Sequence, residues 1–130
     1  MKKTISTLIL LLFVVVIPLC SFTACDLFKS ISFTETKANL QDAGYNVIEM
    51  TGEEFVESEY NKNNNIFESE LEHFIYATKG DDVIKLYFFK TINIASSNYE
   101  SMHDDKLLAA QKNEVVYFAT KQAKKDAGIK

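Results

Sequence analysis

The pattern of apolar and polar positions divides the chain into an apolar N-terminal segment and an alternating remainder. An apolar run covers residues 8–19, and polar residues return at Ser21. From residue 32 onward, segments with helical spacing alternate with segments rich in aromatic and β-branched side chains. Such alternation of short elements is typical of an α+β domain. We therefore predict a single α+β domain over residues 32–130.

Capping residues and turn residues set the predicted elements of this domain. Ser32 with Glu35 predicts a helix over 33–43, and Thr51 with Glu54 predicts a short helix through about residue 60. The other predicted elements are a strand at 45–50, two arms of a hairpin at 71–79 and 83–90, a helix at 93–111, a strand at 115–119 and a final helix from 120 to 128.

Without the terminal helices, the predicted order is β-α-β-β-α-β. This is the order of the split βαβ, ferredoxin-like arrangement, in which a small antiparallel sheet carries its helices on one face. A three-stranded meander with helices packed across it is the alternative if the short helix after Thr51 fails. The hairpin arm at 83–90 is apolar on both sides, which is typical of a central strand.

The first 24 residues have the parts of an export signal. Lys2 and Lys3 favour the cytoplasmic side, and the apolar run of about a dozen residues is shorter than the roughly 18 that usually span a membrane. Pro18 breaks the helix near its end. An ordinary secretory cut after Ala24 would require a small side chain three residues before the cut, where the chain has Phe22. A different type of signal therefore fits better.

The residues Thr23-Ala24-Cys25 resemble the end of a bacterial lipobox, in which an aliphatic residue and two small ones precede an obligatory cysteine. Phe22 stands where the lipobox usually has leucine. Cys20 is the rival, but the leucine before it is too large for the position that takes a small residue.

This resemblance implies that residues 1–24 are removed and that the Cys25 thiol carries a diacylglyceryl group. Two acyl chains give persistent membrane attachment, whereas one gives only marginal binding. Residues 25–31 would then be a short tether, and the domain would lie at the extracytoplasmic face of the cell membrane. The alternative is that residues 5–24 remain as an uncleaved membrane anchor.

The exported part also resembles a family of small, functionally uncharacterised lipoproteins from low-GC Gram-positive bacteria. Residues 40–47, 77–82 and 116–123 carry this resemblance, which extends over most of the domain. These motifs are signatures of a fold. The resemblance implies no catalytic residue.

The charge balance of the domain argues against nucleic-acid binding and against a phosphate-binding site. The chain has 14 basic residues, all of them lysines, and 18 acidic ones; without Lys2 and Lys3, 12 lysines remain and the formal charge is −6. Nucleic-acid and phosphate sites depend on clustered cationic side chains, particularly arginine. The same balance argues against electrostatic binding of the domain to an anionic bilayer. Because Cys20 and Cys25 are the chain's cysteines, we predict no disulfide in the domain.

Neither histidine has the local surroundings of a catalytic or metal site. His73 alternates onto the strand face of Leu71, Ile75 and Ala77, where a half-buried histidine is expected. His103 has a serine and aspartates as near neighbours, but adjacent positions on a helix diverge and form no triad. We predict that the protein is not an enzyme and holds no metal or cofactor.

Seven glutamates lie between positions 53 and 72, and their spacing is not that of a calcium loop. Most such segments are solvated surfaces, and the functional alternative is a docking face for a basic protein or peptide. The residues of this predicted docking face are Glu57, Glu59, Tyr60, Phe67, Glu68 and Glu70.

The function predicted from the sequence is therefore a lipid-anchored module that binds an unidentified protein, peptide or envelope component. One alternative is an accessory structural subunit of a membrane complex, for which an apolar patch near Leu27 and Phe28 would be the sign. The other is a small envelope enzyme, which would need His73 or His103 in a cleft beside a carboxylate.

Overall fold

The computed structural model describes residues 29–130. The predicted signal segment at 1–24, the lipidation of Cys25 and the tether residues 25–28 lie outside the described residues. Residues 31–130 form one compact unit. Ile31, the last residue of the predicted tether 25–31, was expected at the edge of the domain or in contact with the membrane interface, and it is buried in the domain.

The described residues form four α-helices, a short 3-10 helix and five β-strands, which confirms the predicted α+β class. In chain order these are α1 (Phe33–Asp42), β1 (Asn46–Thr51), α2 (Gly52–Glu57), the 3-10 helix (Glu59–Asn61), β2 (Leu71–Lys79), β3 (Asp82–Phe89), α3 (Ile92–Ser101), β4 (Leu108–Lys112), β5 (Val115–Ala119) and α4 (Lys121–Asp126).

The five strands form one sheet in the order β1-β2-β3-β5-β4, and all neighbours are antiparallel. The predicted order β-α-β-β-α-β is present, with β4 as an additional strand. The first three strands are neighbours in chain order, as in the meander that the sequence left as the alternative. Strand β3 is the middle strand, as its two apolar sides predicted.

Helices cover both faces of the sheet, whereas the sequence predicted helices on one face. Helices α1 and α4 pack on the face that carries Ile84, Leu86 and Phe88 of β3. Helices α2 and α3 pack on the opposite face, which carries Tyr87 and Phe89. Both sides of β3 are apolar, so each must be covered to be removed from water. We call the two sides the α1/α4 face and the α2/α3 face.

The helix predicted over 93–111 is wrong in its second half. Helix α3 ends at Ser101 because the backbone of Met102 is extended, and residues 108–112 form β4 instead. A two-residue turn joins β4 to β5, and Asn113 in this turn has a positive φ of 54°. Asparagine tolerates that conformation and is typical of tight hairpins. Pairing with β5 therefore overrides the helical propensity of the segment.

The predicted helix starts are confirmed by their caps. The Ser32 hydroxyl accepts from the Glu35 backbone N–H at 3.3 Å. At α2, the Thr51 hydroxyl accepts from the Glu54 N–H, and the Glu54 carboxylate accepts from the Thr51 N–H at 2.8 Å. Thr120 caps α4 in the same way as Ser32 caps α1. These bonds satisfy backbone donors that the first turn of a helix leaves unpaired.

Helices α1 and α4 end in the same motif, with a glycine of positive φ just after the helix. Gly44 has a φ of 87° and Gly128 a φ of 78°. After α1, the N–H of Tyr45 donates to the Leu40 carbonyl. After α4, the N–H of Ile129 makes the equivalent bond. This is the Schellman motif, which turns the chain back onto the α1/α4 face.

Candidate functional site

Two depressions lie beside the acidic segment, which we define as residues 53–72. The first, called here the polar cleft, has a volume of about 350 Å³ and is lined by Glu59, Tyr60, Asn63, Asn64, Lys85, Tyr87, Met102, His103, Asp104 and Phe118. The second, called here the acidic groove, has a volume of about 390 Å³ and is lined by Gly52, Glu53, Glu68, Leu71, Glu72, His73 and Lys90.

Side-chain hydrogen bonds fix the part of the acidic segment that connects α2 to β2, residues 58–70. The Ser58 hydroxyl donates to the Phe55 carbonyl at 2.6 Å and accepts from the Tyr60 N–H, which joins α2 to the 3-10 helix. The Asn61 side chain bonds both the N–H and the carbonyl of Ile66, at 3.0 and 2.9 Å. Because Ile66 is buried, the asparagine-rich loop is anchored at both ends.

The wall of the polar cleft is aromatic and carries one buried hydroxyl. The Tyr87 ring lies 5.0 Å from the Phe74 ring and 6.1 Å from the Phe118 ring. Asn64 donates to the Tyr87 hydroxyl at 3.4 Å. Burial raises the pKa of Tyr87 to about 12, with a further increase from the charge of Asp104, while the Asn64 hydrogen bond acts in the opposite direction.

The rim of the polar cleft is charged. Lys85 projects from β3 and pairs with Asp104, with Nζ 3.2 Å from Oδ2. The other carboxylate oxygen of Asp104 accepts from the Lys106 N–H. His103 and Glu59 are exposed at the same rim. His103 was predicted on a helix, but it lies in the loop that follows α3.

The raised pKa of Tyr87 makes a testable contribution to stability. Folding holds the Tyr87 proton up to a pH of about 12, whereas the unfolded chain releases it near 10.0. Because the unfolded state binds fewer protons in this window, the free energy of unfolding falls as pH rises from 10 to 12, by up to about 2–3 kcal/mol. We expect Tyr87→Phe to have a shallower alkaline decline in urea-unfolding titrations. Parallel pH profiles for the two proteins would contradict this assignment.

A β-bulge between Leu71 and His73 shapes the acidic groove. The sequence placed both residues on one face of β2. The bulge instead turns Leu71 to the α2/α3 face, while His73 stays on the side of Ile75 and stacks on Phe33 with ring centroids 4.3 Å apart. The extra residue in a bulge breaks the two-residue alternation of a strand. His73 is half-buried, as predicted.

The structure distributes the predicted docking face over both depressions and the chain between them. Glu59 and Tyr60 line the polar cleft, whereas Glu68 lines the acidic groove. Glu57 is exposed at the end of α2. The remaining two residues belong to a turn.

Phe67 is the most exposed large apolar side chain of the described domain, at 66 %. The turn that presents it is fixed by two bonds from Glu70, whose carboxylate accepts from the Phe67 N–H and whose N–H donates to the Phe67 carbonyl. The aromatic ring is therefore held outward by a defined turn. It is not part of a free loop.

The glutamates of the acidic segment are not neutralised by neighbouring lysines. In the part of the chain that the structure describes, ion pairs join Lys37 to Glu49 and Lys85 to Asp104, and neither includes a glutamate between 53 and 72. The Glu54 and Glu70 carboxylates bind backbone N–H groups. The other carboxylates face solvent, so this surface has a strongly negative local charge.

Sequence reasoning missed the residues that complete the polar cleft, namely Asn64, Lys85, Tyr87 and Asp104. The one sequence signal for the cleft was Lys85, a charged residue in the middle of the otherwise apolar arm β3. Across residues 29–130, no group of three or more His, Cys, Asp or Glu side chains is placed to hold a metal ion. Within the same residues, neither histidine hydrogen-bonds a carboxylate.

Comparison of the chain with protein-family models, curated proteins and solved structures finds no match. A search of the described residues for a helix long and apolar enough to cross a membrane also finds none.

Proposed function

We propose that this protein is a lipid-anchored module of the extracytoplasmic membrane face, which binds a protein or peptide partner that carries a basic surface. The docking face is the one predicted from the sequence, Glu57, Glu59, Tyr60, Phe67, Glu68 and Glu70. The observation that carries the proposal is the exposed Phe67 ring, held on a fixed turn beside carboxylates that have no lysine partners.

The chemistry of this face suits recognition of lysine and arginine side chains. Unpaired carboxylates attract cations over long range and form charge-assisted hydrogen bonds on contact. An exposed aromatic ring adds apolar area and a cation–π surface, and aromatic side chains often dominate binding energy at interfaces. The carboxylates therefore provide steering, while Phe67 provides the anchor. The proposal includes no reaction and no cofactor.

Attachment at Cys25 would keep the module at the membrane. Its support is the match of Thr23-Ala24-Cys25 to the lipobox and the short apolar run before it. The six residues from Asp26 to Ile31 span at most about 20 Å when extended, so the domain would stay close to the headgroups.

Charge-neutral variants of the docking face test the proposal. In a crosslinking pull-down from envelope extract, we expect Glu57→Gln with Glu59→Gln and Glu68→Gln to reduce partner recovery at least tenfold. Phe67→Ala should reduce it to a similar degree, because a buried aromatic anchor is worth about 2 kcal/mol or more. Recovery would be measured by quantitative mass spectrometry of the captured proteins.

The matched control changes the same net charge at exposed positions elsewhere. It combines Asp81→Asn in the β2–β3 turn, Glu100→Gln near the end of α3 and Asp105→Asn in the loop that follows α3. We expect this control to recover the same partner as the unmodified protein. Full recovery by the docking-face variants, or equal loss with the control, would reject the docking face.

A further inference from the structure

Helix α4 presents a basic surface on the domain. Lys121, Lys124 and Lys125 stand at spacings that place them along one side of the helix. Together with Gly128, Ile129 and Lys130, they line a depression with a volume of about 390 Å³. In the described chain, none of the three helical lysines forms an ion pair.

The acidic residue of α4 accepts from neutral donors and forms no ion pair with these lysines. One carboxylate oxygen of Asp126 accepts from the Tyr45 hydroxyl at 2.9 Å, and the other accepts from Gln122 at 2.8 Å. At the start of the helix, Asp82 is bound to Thr120 in the same manner. The three lysines therefore have no ion-pair partner among the described residues, and the exposed carboxylates on the adjoining elements include Glu35 and Asp42 of α1 and Asp81 of the β2–β3 turn.

Charge is segregated across the sheet. Helix α4 covers the α1/α4 face, whereas α2 and its exposed glutamates cover the opposite face. The domain's formal charge of −6 is a sum over both of these sides. In the sequence analysis this total was the reason against binding to an anionic bilayer. The average charge of the domain does not prevent a positively charged patch from binding anionic lipid. Surface charges act only within about 10 Å at moderate salt, so the local charge of the patch decides.

The chain enters the domain on the basic side. Ile31, the first residue of the compact unit, is buried in the same apolar cluster as Ala123, Ala127 and Ile129. Since at most about 20 Å of extended chain separates Cys25 from Ile31, attachment of Cys25 would hold this layer near the membrane. Basic residues beside a lipid anchor add attraction to anionic headgroups and fix a second point of contact.

We propose that Lys121, Lys124 and Lys125 dock the domain onto the anionic phospholipid headgroups of the membrane that holds it. This contact sets the orientation of the module: the α1/α4 face turns toward the lipid, and the docking face turns away from it toward a partner. The inference rests on the membrane attachment in the proposed function, and it goes beyond that function by assigning a lipid-binding surface and an orientation.

Single-tryptophan reporters test this orientation, because the chain has no tryptophan of its own. The full chain with Gln122→Trp, on exposed α4, is reconstituted in nanodiscs of brominated phosphatidylcholine, with or without about 30 % brominated phosphatidylglycerol. We expect fluorescence quenching by the bromine atoms to be at least twofold stronger in the anionic discs. Phe67→Trp, on the docking face, should be quenched no more strongly in the anionic discs than in the neutral ones, because the docking face turns away from the lipid.

Lysine variants and salt separate the basic surface from general charge effects. In the Gln122→Trp protein, Lys121→Gln with Lys124→Gln and Lys125→Gln should remove the difference between discs, as should an increase to about 1 M salt. The control set Lys62→Gln, Lys90→Gln and Lys106→Gln changes the same net charge at exposed positions and should leave the difference intact.

Equal quenching of Gln122→Trp in both discs, or loss of the difference in the control set, overturns the inference. Displacement by inorganic phosphate at constant ionic strength would assign the patch to a soluble anion and overturn it as well. Failure of the protein to co-elute with either disc would instead reject membrane attachment, and with it the proposed function.

Discussion

Phe74→Ala is expected to lower the free energy of unfolding by about 3–5 kcal/mol, the usual cost of removing a buried phenyl ring. Phe74 has no exposed surface. Its ring centroid lies 4.7 Å from that of Phe55, 5.0 Å from that of Tyr87 and 5.5 Å from that of Tyr60. The substitution therefore leaves a cavity among three aromatic rings. It also loses the free energy gained when the phenyl ring is transferred from water to the core.

The effect should extend to the site, because two of those rings line the polar cleft. Small domains are stable by about 5–15 kcal/mol, so the loss removes a large fraction of that stability, and nearly all of it at the lower end of the range. Urea unfolding followed by circular dichroism, on the full chain in one detergent buffer, measures the change.

Phe67→Ala is the matched control, since it removes the same atoms from a side chain that is 66 % exposed. We expect a change within about 0.5 kcal/mol, as for other surface substitutions. The two variants thus separate a ring that supports the fold, Phe74, from the exposed Phe67 ring, whose proposed role is in binding. Equal destabilisation by the two substitutions would show that the assigned burial is incorrect.

Local signals predicted much of the fold, because each acts within a few residues. The caps at Ser32, Thr51 and Thr120 form hydrogen bonds three residues along the chain, and all three mark helix starts in the structure. The two apolar sides of the arm at 83–90 predicted its central position in the sheet. Sequence patterns of this kind predict structure well because they depend on the local geometry of a few neighbouring residues.

The errors occurred where distant segments decide the structure. Residues 108–112 have good helix-forming side chains, but pairing with β5 makes them a strand, and only Asn113 signalled the turn. The same apolar pattern that made β3 central should also have predicted helices on both faces. The bulge beside His73 depends on the pairing of β2 with β3, which no single segment contains.

The candidate site shows the same division. The proposed docking face could be assigned from the sequence, since all of its residues come from one segment rich in glutamate. The polar cleft was not, because its lining comes from the 3-10 helix, from β3, from the loop after α3 and from β5. Such a site is formed by the packing of elements that are distant in the chain. The spacing of residues along the sequence therefore does not predict which side chains line it.

Cys25→Ala is expected to abolish lipid modification completely, because the modified thioether forms on the cysteine sulfur. The variant therefore lacks the two acyl chains that give persistent attachment of a cleaved protein. We expect the signal segment to stay uncleaved in this variant, since the lipobox cysteine defines the cleavage point implied by the resemblance. Ser21→Ala, in the same segment, is the control and should be modified like the unmodified chain.

Metabolic labelling with an alkyne analogue of palmitate, followed by the intact mass of the purified protein, tests membrane anchoring at Cys25 most directly. The account predicts a labelled protein that begins at Cys25 and carries the mass of its acyl chains, with no label in Cys25→Ala. An unlabelled, full-length protein that retains residues 1–24 would contradict it.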